Sequence, residues 1–275
     1  MKLTHIYNKV ALFAVAALSL TACNDVDEED RFIYVEPQQT SKNILIEDFT
    51  GQRCANCPTA TGFIGELQAQ FGEEHVIAVG IHSGPLGLNT PLYTAEGQHY
   101  FETCKWPIVG QPACVVDRRT KVEGTQGGLS SLLTPVTAAL AESAPLELAA
   151  VTSYDEATRT VTIDVNAQGI LDVTGKLQVW LVEDNITSQQ TMPDGSMQWQ
   201  YVHNHVFRAA VNGLDGEDFA IAWDEAKTIT HEYVLNDAWK AEDMSVVAFV
   251  YTDKGVQQVV KTHVIPAAED TPADE

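Results

Sequence analysis

Apolar residues follow two different rhythms along this chain, and the change falls near residue 145. Before it, "ILIEDF" (Ile44 to Phe49) is a compact run of β-formers, which predicts a strand. "CPTATGFIGELQAQFG" follows with Phe63, Ile64, Leu67 and Phe71 at helical spacing and Gly72 placed to end the helix. "HVIAVGIH", residues 75 to 82, is almost uniformly apolar, the texture of a strand buried on both faces of a parallel sheet. Strand, helix and strand in this order predict a βαβ unit. The Gly- and Pro-containing stretch "SGPLGLNTPLYTAEGQHYFETCKWPIVG" predicts an inserted loop at a functional edge, with a short helix near Thr94 to Cys104. "QPACVVDRRTKVEG" then predicts two short strands about a basic turn, and "GGLSSLLTPVTAALAES" a helix from about Leu129 to Glu142, bent by Pro135.

From Pro145 the runs become short and alternating: "LELAAVTSY", "TRTVTIDVNAQ", "GKLQVWLVE", "YVHNHVFRAAV", "HEYVLN", "SVVAFVYTD" and "GVQQVVKTHVI". Turn-like "DEAT", "DVTG", "NGLDG" and "TDKG" separate several of them. Seven such runs predict an antiparallel β-sandwich, immunoglobulin-like in strand number but without the Cys-Trp-Cys spacing of those modules. The expected organisation is an α/β domain over 43–144 followed by an all-β sandwich over 145–266.

The ends of the chain have a different character. Lys2 and Lys9 precede an apolar run from Val10 to Leu20, short for a membrane span, so 1–22 reads as a secretory signal. "LTAC" resembles the lipobox at which bacterial lipoprotein signals are cut and the new N-terminal cysteine is acylated, here Cys23. The alternative is an ordinary cut that leaves Cys23 a spare thiol. Residues 23–42, opening on "NDVDEED", are expected to form an acidic tether and linker, and 267–275 a disordered tail. Acidic residues directly behind an acylated cysteine resemble the surface-export signal of Bacteroidetes lipoproteins, a solvated spacer being the other reading. The chain carries 16 Lys and Arg against 38 Asp and Glu, a formal net charge of −22, and loss of the signal's two lysines makes the mature chain more acidic still. That balance excludes a basic footprint for nucleic acid and repels an anionic bilayer, leaving the N-terminal lipid as the membrane attachment.

Apart from Cys23, the cysteines are Cys54, Cys57, Cys104 and Cys114, an even number that permits disulfides in an exported chain. The pair in "RCANC" stands between a strand and a helix. There the helix dipole stabilises a thiolate on the first cysteine, and the second, one turn on, is placed to resolve a mixed disulfide. A zinc clip would need a second ligand pair at similar spacing, whereas Cys104 and Cys114 stand ten apart with no histidine close by in sequence to complete a knuckle. A working redox pair and a structural disulfide remain the two readings.

"ILIEDFTGQRCANCP" resembles thioredoxin-like proteins, with a strand ending in an acidic–aromatic pair, a linker and the CxxC. The resemblance implies a thioredoxin-like α/β domain in which Cys54 is the nucleophile, Cys57 the resolving thiol and Asp48 the buried base. It also implies a cis-proline facing the cysteines, for which "VGQPACVVD" offers Pro112, with Gln111 presenting backbone groups to a substrate peptide. Arg53 stands in place of the usual tryptophan, and "AN" in place of Gly-Pro. Cys104 and Cys114 flank Pro112 and are expected to pair as a second disulfide, two buried thiols being the alternative.

"DFTGQRCANCP", "YVHNHVFRAAVNGLDG" and "SVVAFVYTDKGVQQVV" together resemble the twenty-eight-kilodalton outer membrane protein family of Bacteroidetes envelope lipoproteins. That resemblance implies an outer-membrane lipoprotein. In "YVHNHVFR", His203 and His205 alternate as on one strand face, and His231 or His263 would have to supply a third metal ligand; partner-bonded or exposed histidines are the preferred reading, and no metal or other cofactor is expected. Arg208 with Trp199, Tyr201 and Phe207 is expected to serve core packing, or else a binding patch. Two functions follow: thiol–disulfide exchange with protein thiols and disulfides of the envelope, or non-catalytic binding of a surface ligand with the CxxC as a staple.

Overall fold

A computed structural model of the chain describes residues 40–87 and 91–265. The signal, Cys23 and the C-terminal tail lie outside them. The sheet is built outward from β2 (Ile44–Thr50), after a two-residue β1 (Thr40–Ser41). α1 (Cys57–Phe71) carries the chain back along β2, so that β3 (Val76–His82) pairs with it in parallel, Ile44 opposite Val76 and Thr50 opposite His82. α2 (Ala95–Thr103) follows, its first turn capped by the Thr94 hydroxyl, which accepts from the Gly97 amide at 2.9 Å. β4 (Ala113–Val116) then lies antiparallel on the free edge of β2, with β5 (Thr120–Glu123) beyond it. α3 (Gly128–Leu140) and β6 (Ser143–Ala144), which pairs with β1, complete this part.

The remaining strands are β7 (Leu146–Asp155), β8 (Thr160–Gly169), β9 (Val173–Glu183), β10 (Ile186–Thr191), β11 (Met197–His203), β12 (Val206–Ala210), β13 (Glu217–Ile221), β14 (Ala226–Val234), β15 (Met244–Thr252) and β16 (Gly255–His263). Five of them extend the first sheet, giving the order β16-β15-β9-β12-β3-β2-β4-β5 with β13 also paired to β9. The seam is β12 against β3, a parallel contact of Val206 with Gly80, where the Gly80 amide donates to the His205 carbonyl at 2.7 Å. β14, β8 and β7 form a separate three-stranded sheet, and β10 and β11 a hairpin.

This corrects the expected fold class. Instead of a thioredoxin-like α/β domain followed by an immunoglobulin-like sandwich, the described residues form a mostly β structure with three α-helices and one sheet of nine strands. The physical reason is that β3 is apolar on both faces and has a second edge to satisfy. β12 supplies its partner from more than a hundred residues away, and local periodicity carries no record of that.

Alternation across each strand sorts the core. β9 sends Leu177, Val179 and Leu181 to one face, packed against Val161, Ile163 and Val165 of the three-stranded sheet. Its Trp180 and Val182 point to the other face, with Phe249 of β15, Phe207 of β12 and Leu45 and Phe49 of β2. Ile44 and Ile46 of β2 point opposite to Leu45, under Ile64 and Leu67 of α1 and Leu132 and Val136 of α3.

A covered disulfide and its buried carboxyl

Where β2 ends, the chain passes so close to the turn at Leu86 that a Cβ on Gly51 would lie 2.5 Å from the Leu86 carbonyl carbon, so glycine is required there. The Arg53 amide donates to Leu86 O and the Cys54 amide to Gly51 O, both at 3.0 Å, which folds the linker into a tight turn. Cys57 opens α1, followed by Pro58 in the first turn, where a missing N–H leaves no bond unmade. Cys54 and Cys57 are joined by a disulfide. Arg53 projects from the turn into solvent.

The disulfide is enclosed, with Cys54 2% and Cys57 1% exposed. The Gln111–Pro112 bond is cis, and Gln111 Nε2 donates to Thr50 O at 2.6 Å and Ser83 O at 2.9 Å, tying this loop to the ends of β2 and β3. The β10–β11 hairpin covers the cysteine turn. Gln190 Nε2 donates to Cys54 O at 2.9 Å, and the Thr191 amide to Gln52 O at 2.8 Å.

Behind the disulfide, Asp48 of β2 stands opposite Cys114 of β4, whose thiol donates to its Oδ1 at 3.7 Å. Burial raises the Asp48 pKa to about 7, against hydrogen bonds from Cys114 and Thr61 that lower it. Asp48, Cys57, His82, Gln190, Tyr201 and His203 all line one cavity of about 140 Å³. Burial also depresses the imidazoles, His82 to about 3 with the neighbouring His203 and Arg208 adding to the effect, and His203 to about 4. Both rings are therefore neutral at physiological pH.

The other residues singled out in the sequence fall elsewhere. Cys104 and Cys114 are free thiols, which corrects the expected second disulfide. Cys114 packs under α1 and α3, whereas Cys104 packs with Phe49 and Trp180 on the opposite face of the sheet, so the sheet itself separates them. His203 ends β11, but His205 sits in the following turn at φ 57°, paired with Asp184 at 3.1 Å, so the two do not share a strand face. His231 Nε2 lies 2.7 Å from Glu217, and His263 meets Ser245 at 3.3 Å. Among the described residues no group of three or more His, Cys, Asp or Glu is arranged to hold a metal ion. Arg208 pairs with Glu183 at 2.9 Å in the interior, and Phe207 is buried in the core. Trp199 is exposed and Tyr201 half-buried.

Sequence reasoning missed Gln190 and His82. Gln190 gave no signal, being one polar residue in a polar run. His82 gave a weak one, as the imidazole closing an otherwise apolar strand.

A mostly β protein built around a hairpin-covered CxxC disulfide, with a neutralisable carboxyl behind it, is the class these features define. The family model of outer membrane protein Omp28 matches residues 101–267, and the chain belongs to that family. Association with the outer membrane follows from that membership; among the described residues no helix is long and apolar enough to cross a membrane. Among solved structures, HBP35 of Porphyromonas gingivalis is similar at 17% identity and a TM-score of 0.65, over 86% of this chain and 80% of that one. A domain of the outer membrane lipoprotein Omp28 from Porphyromonas gingivalis is 27% identical, over 46% of this chain and 92% of the domain, with a TM-score of 0.34. A protein of Agrobacterium tumefaciens matches at 17% identity and a TM-score of 0.50, over 85% of this chain and 99% of its own. No curated protein matches the chain.

Proposed function

We propose that this outer-membrane protein is anchored by lipid on Cys23 and that its Cys54–Cys57 pair exchanges disulfides with thiols of envelope proteins. The observation that carries the reading is Asp48, a buried carboxyl that shares a cavity with Cys57 and has its pKa raised to about 7. A client thiolate attacks Cys54 Sγ, the Cys54–Cys57 bond breaks, and Cys57 leaves with the electron pair. The Asp48 carboxyl then gives its proton to the Cys57 thiolate, which would otherwise be an unpaired charge in a buried site. A second client thiolate attacks the mixed disulfide and leaves Cys54 reduced. The client is oxidised by two electrons and the protein is reduced by two; the reverse sequence oxidises the protein.

The test is a redox titration of the purified chain in thiol buffers. A reversible two-thiol transition is expected, abolished in Cys54→Ser, and Cys57→Ser should accumulate a mixed disulfide through Cys54. A pair that stays oxidised under strongly reducing conditions and transfers no disulfide would sink the proposal.

The burial of both sulfurs supports a second reading, in which the protein binds a surface ligand and the disulfide staples the turn beneath the hairpin. In that case a Cys54→Ser, Cys57→Ser double variant that stays folded keeps full binding. Loss of binding in such a folded variant counts against it.

A further inference from the structure

The cavity behind the disulfide contains two polar atoms with no protein partner. His82 is 5% exposed and His203 6%, yet neither His82 Nδ1 nor His203 Nε2 makes a hydrogen bond. Buried polar atoms left this way are normally met by ordered water, and a polar cavity of about 140 Å³ has room for it. The two rings pack edge to face with centroids 5.0 Å apart. The Gln189 backbone lies beside the His203 ring and favours a proton on it, while Nε2 is left without a partner.

Resting on the exchange reading above, we propose that water in this cavity links the Asp48 carboxyl to His203 Nε2, and that His203 is a positioning residue for the proton path between Asp48 and solvent. When Cys57 leaves as a thiolate, Asp48 protonates it and is itself left as a buried carboxylate. A proton must then return to Asp48 for the site to regain its neutral state. That proton is the one the client thiol lost to solvent, and water held by His203 conducts it inward; during oxidation of the protein the same path runs outward. The groups facing this path are Asp48 from β2, Cys57 from α1, His82 from β3, Cys114 from β4 and Tyr201 from β11, with His205 and Arg208 at its margin. Both imidazoles stay neutral, so the path needs no resident charge.

The experiment uses the full oxidised chain and follows its reduction by dithiothreitol, and its reoxidation, across the neutral pH range. His203→Asn keeps a polar side chain at this position but removes Nε2. It should slow both directions by roughly a hundredfold, the lower end of general acid–base contributions, and leave the equilibrium potential unchanged. In His203→Ala, added imidazole should restore the rate. A purely structural role for His203 predicts the opposite sign, because a loosened hairpin exposes the disulfide and speeds its reduction. Rates and pH profiles that superpose on the parent, or a faster variant, overturn the proposal. A parent chain that neither reduces nor transfers its disulfide overturns the exchange reading and the relay with it, a result separable from the first because it needs no variant.

Discussion

Trp180→Ala is expected to destabilise the protein by about 3–5 kcal/mol, the range for deleting a fully buried large aromatic. Trp180 has no exposed surface and lies at the centre of one face of the nine-stranded sheet. Its ring centroid is 4.9 Å from Phe249, 5.0 Å from Tyr100 and 5.3 Å from Phe207, and its Nε1–H donates to the Tyr100 hydroxyl at 3.0 Å. Those partners come from β15, α2 and β12, on both sides of residue 145. The loss therefore combines apolar transfer, an unfilled cavity and a broken buried hydrogen bond. Because one sheet runs through both halves of the chain, denaturant should give a single transition whose midpoint falls in the variant while its slope does not change. Two transitions, only one of them moved by the substitution, would show that the halves fold independently and that Trp180 does not join them.

Legibility in the sequence tracks distance along the chain. β2, α1, β3 and the two strands around the basic turn at Arg118 are each set by a local run of apolar spacing, and each can be read from that run alone. Cys54, Cys57 and Asp48 are within ten residues of one another, so one strand end and one helix start suffice to gather them. Gln190 and His203 reach the same cavity from the two strands of one hairpin and His82 from β3, and no local pattern in "NITSQQTMPDGSMQWQYVH" records where that hairpin docks. The hairpin holds its place through hydrogen bonds from Gln190 and Thr191 to backbone carbonyls rather than through an apolar face, which composition cannot register. Cys104 and Cys114 show the converse error. They are near each other in sequence, but β4 turns Cys114 toward the helices α1 and α3, and Cys104 packs against the other face of the sheet. The runs "LQVWLVE" and "MSVVAFV", read above as alternating, are in fact apolar on both faces, as strands covered on both sides must be.

Asp48→Asn is expected to stabilise the oxidised protein above neutrality by on the order of 4 kcal/mol, with an advantage that vanishes in acid. The sign follows from where the proton is held. Burial lifts the folded-state pKa from 3.8 to about 7, so between those values the folded chain keeps a proton that the unfolded chain has released. Raising the pH through this window favours unfolding, by about 1.4 kcal/mol per unit, and the loss levels off above the folded pKa. Below the unfolded pKa both states are protonated and no difference remains. Asparagine mimics the protonated carboxyl in shape and still offers partners to Cys114 and Thr61, but it never has to carry a buried charge. The depressed His82 and His203 affect stability as well, but they are present in both proteins and to first order cancel in the comparison. Denaturation midpoints of parent and variant near pH 4 and near pH 8 provide the test, and a difference that does not change with pH refutes the assignment. On the proposed exchange the same substitution removes the proton donor for Cys57, so exchange should slow as stability rises. A carboxyl retained in the interior at such an energetic disadvantage is hard to explain as part of a mere staple, and is what a disulfide that opens and closes would need beside it.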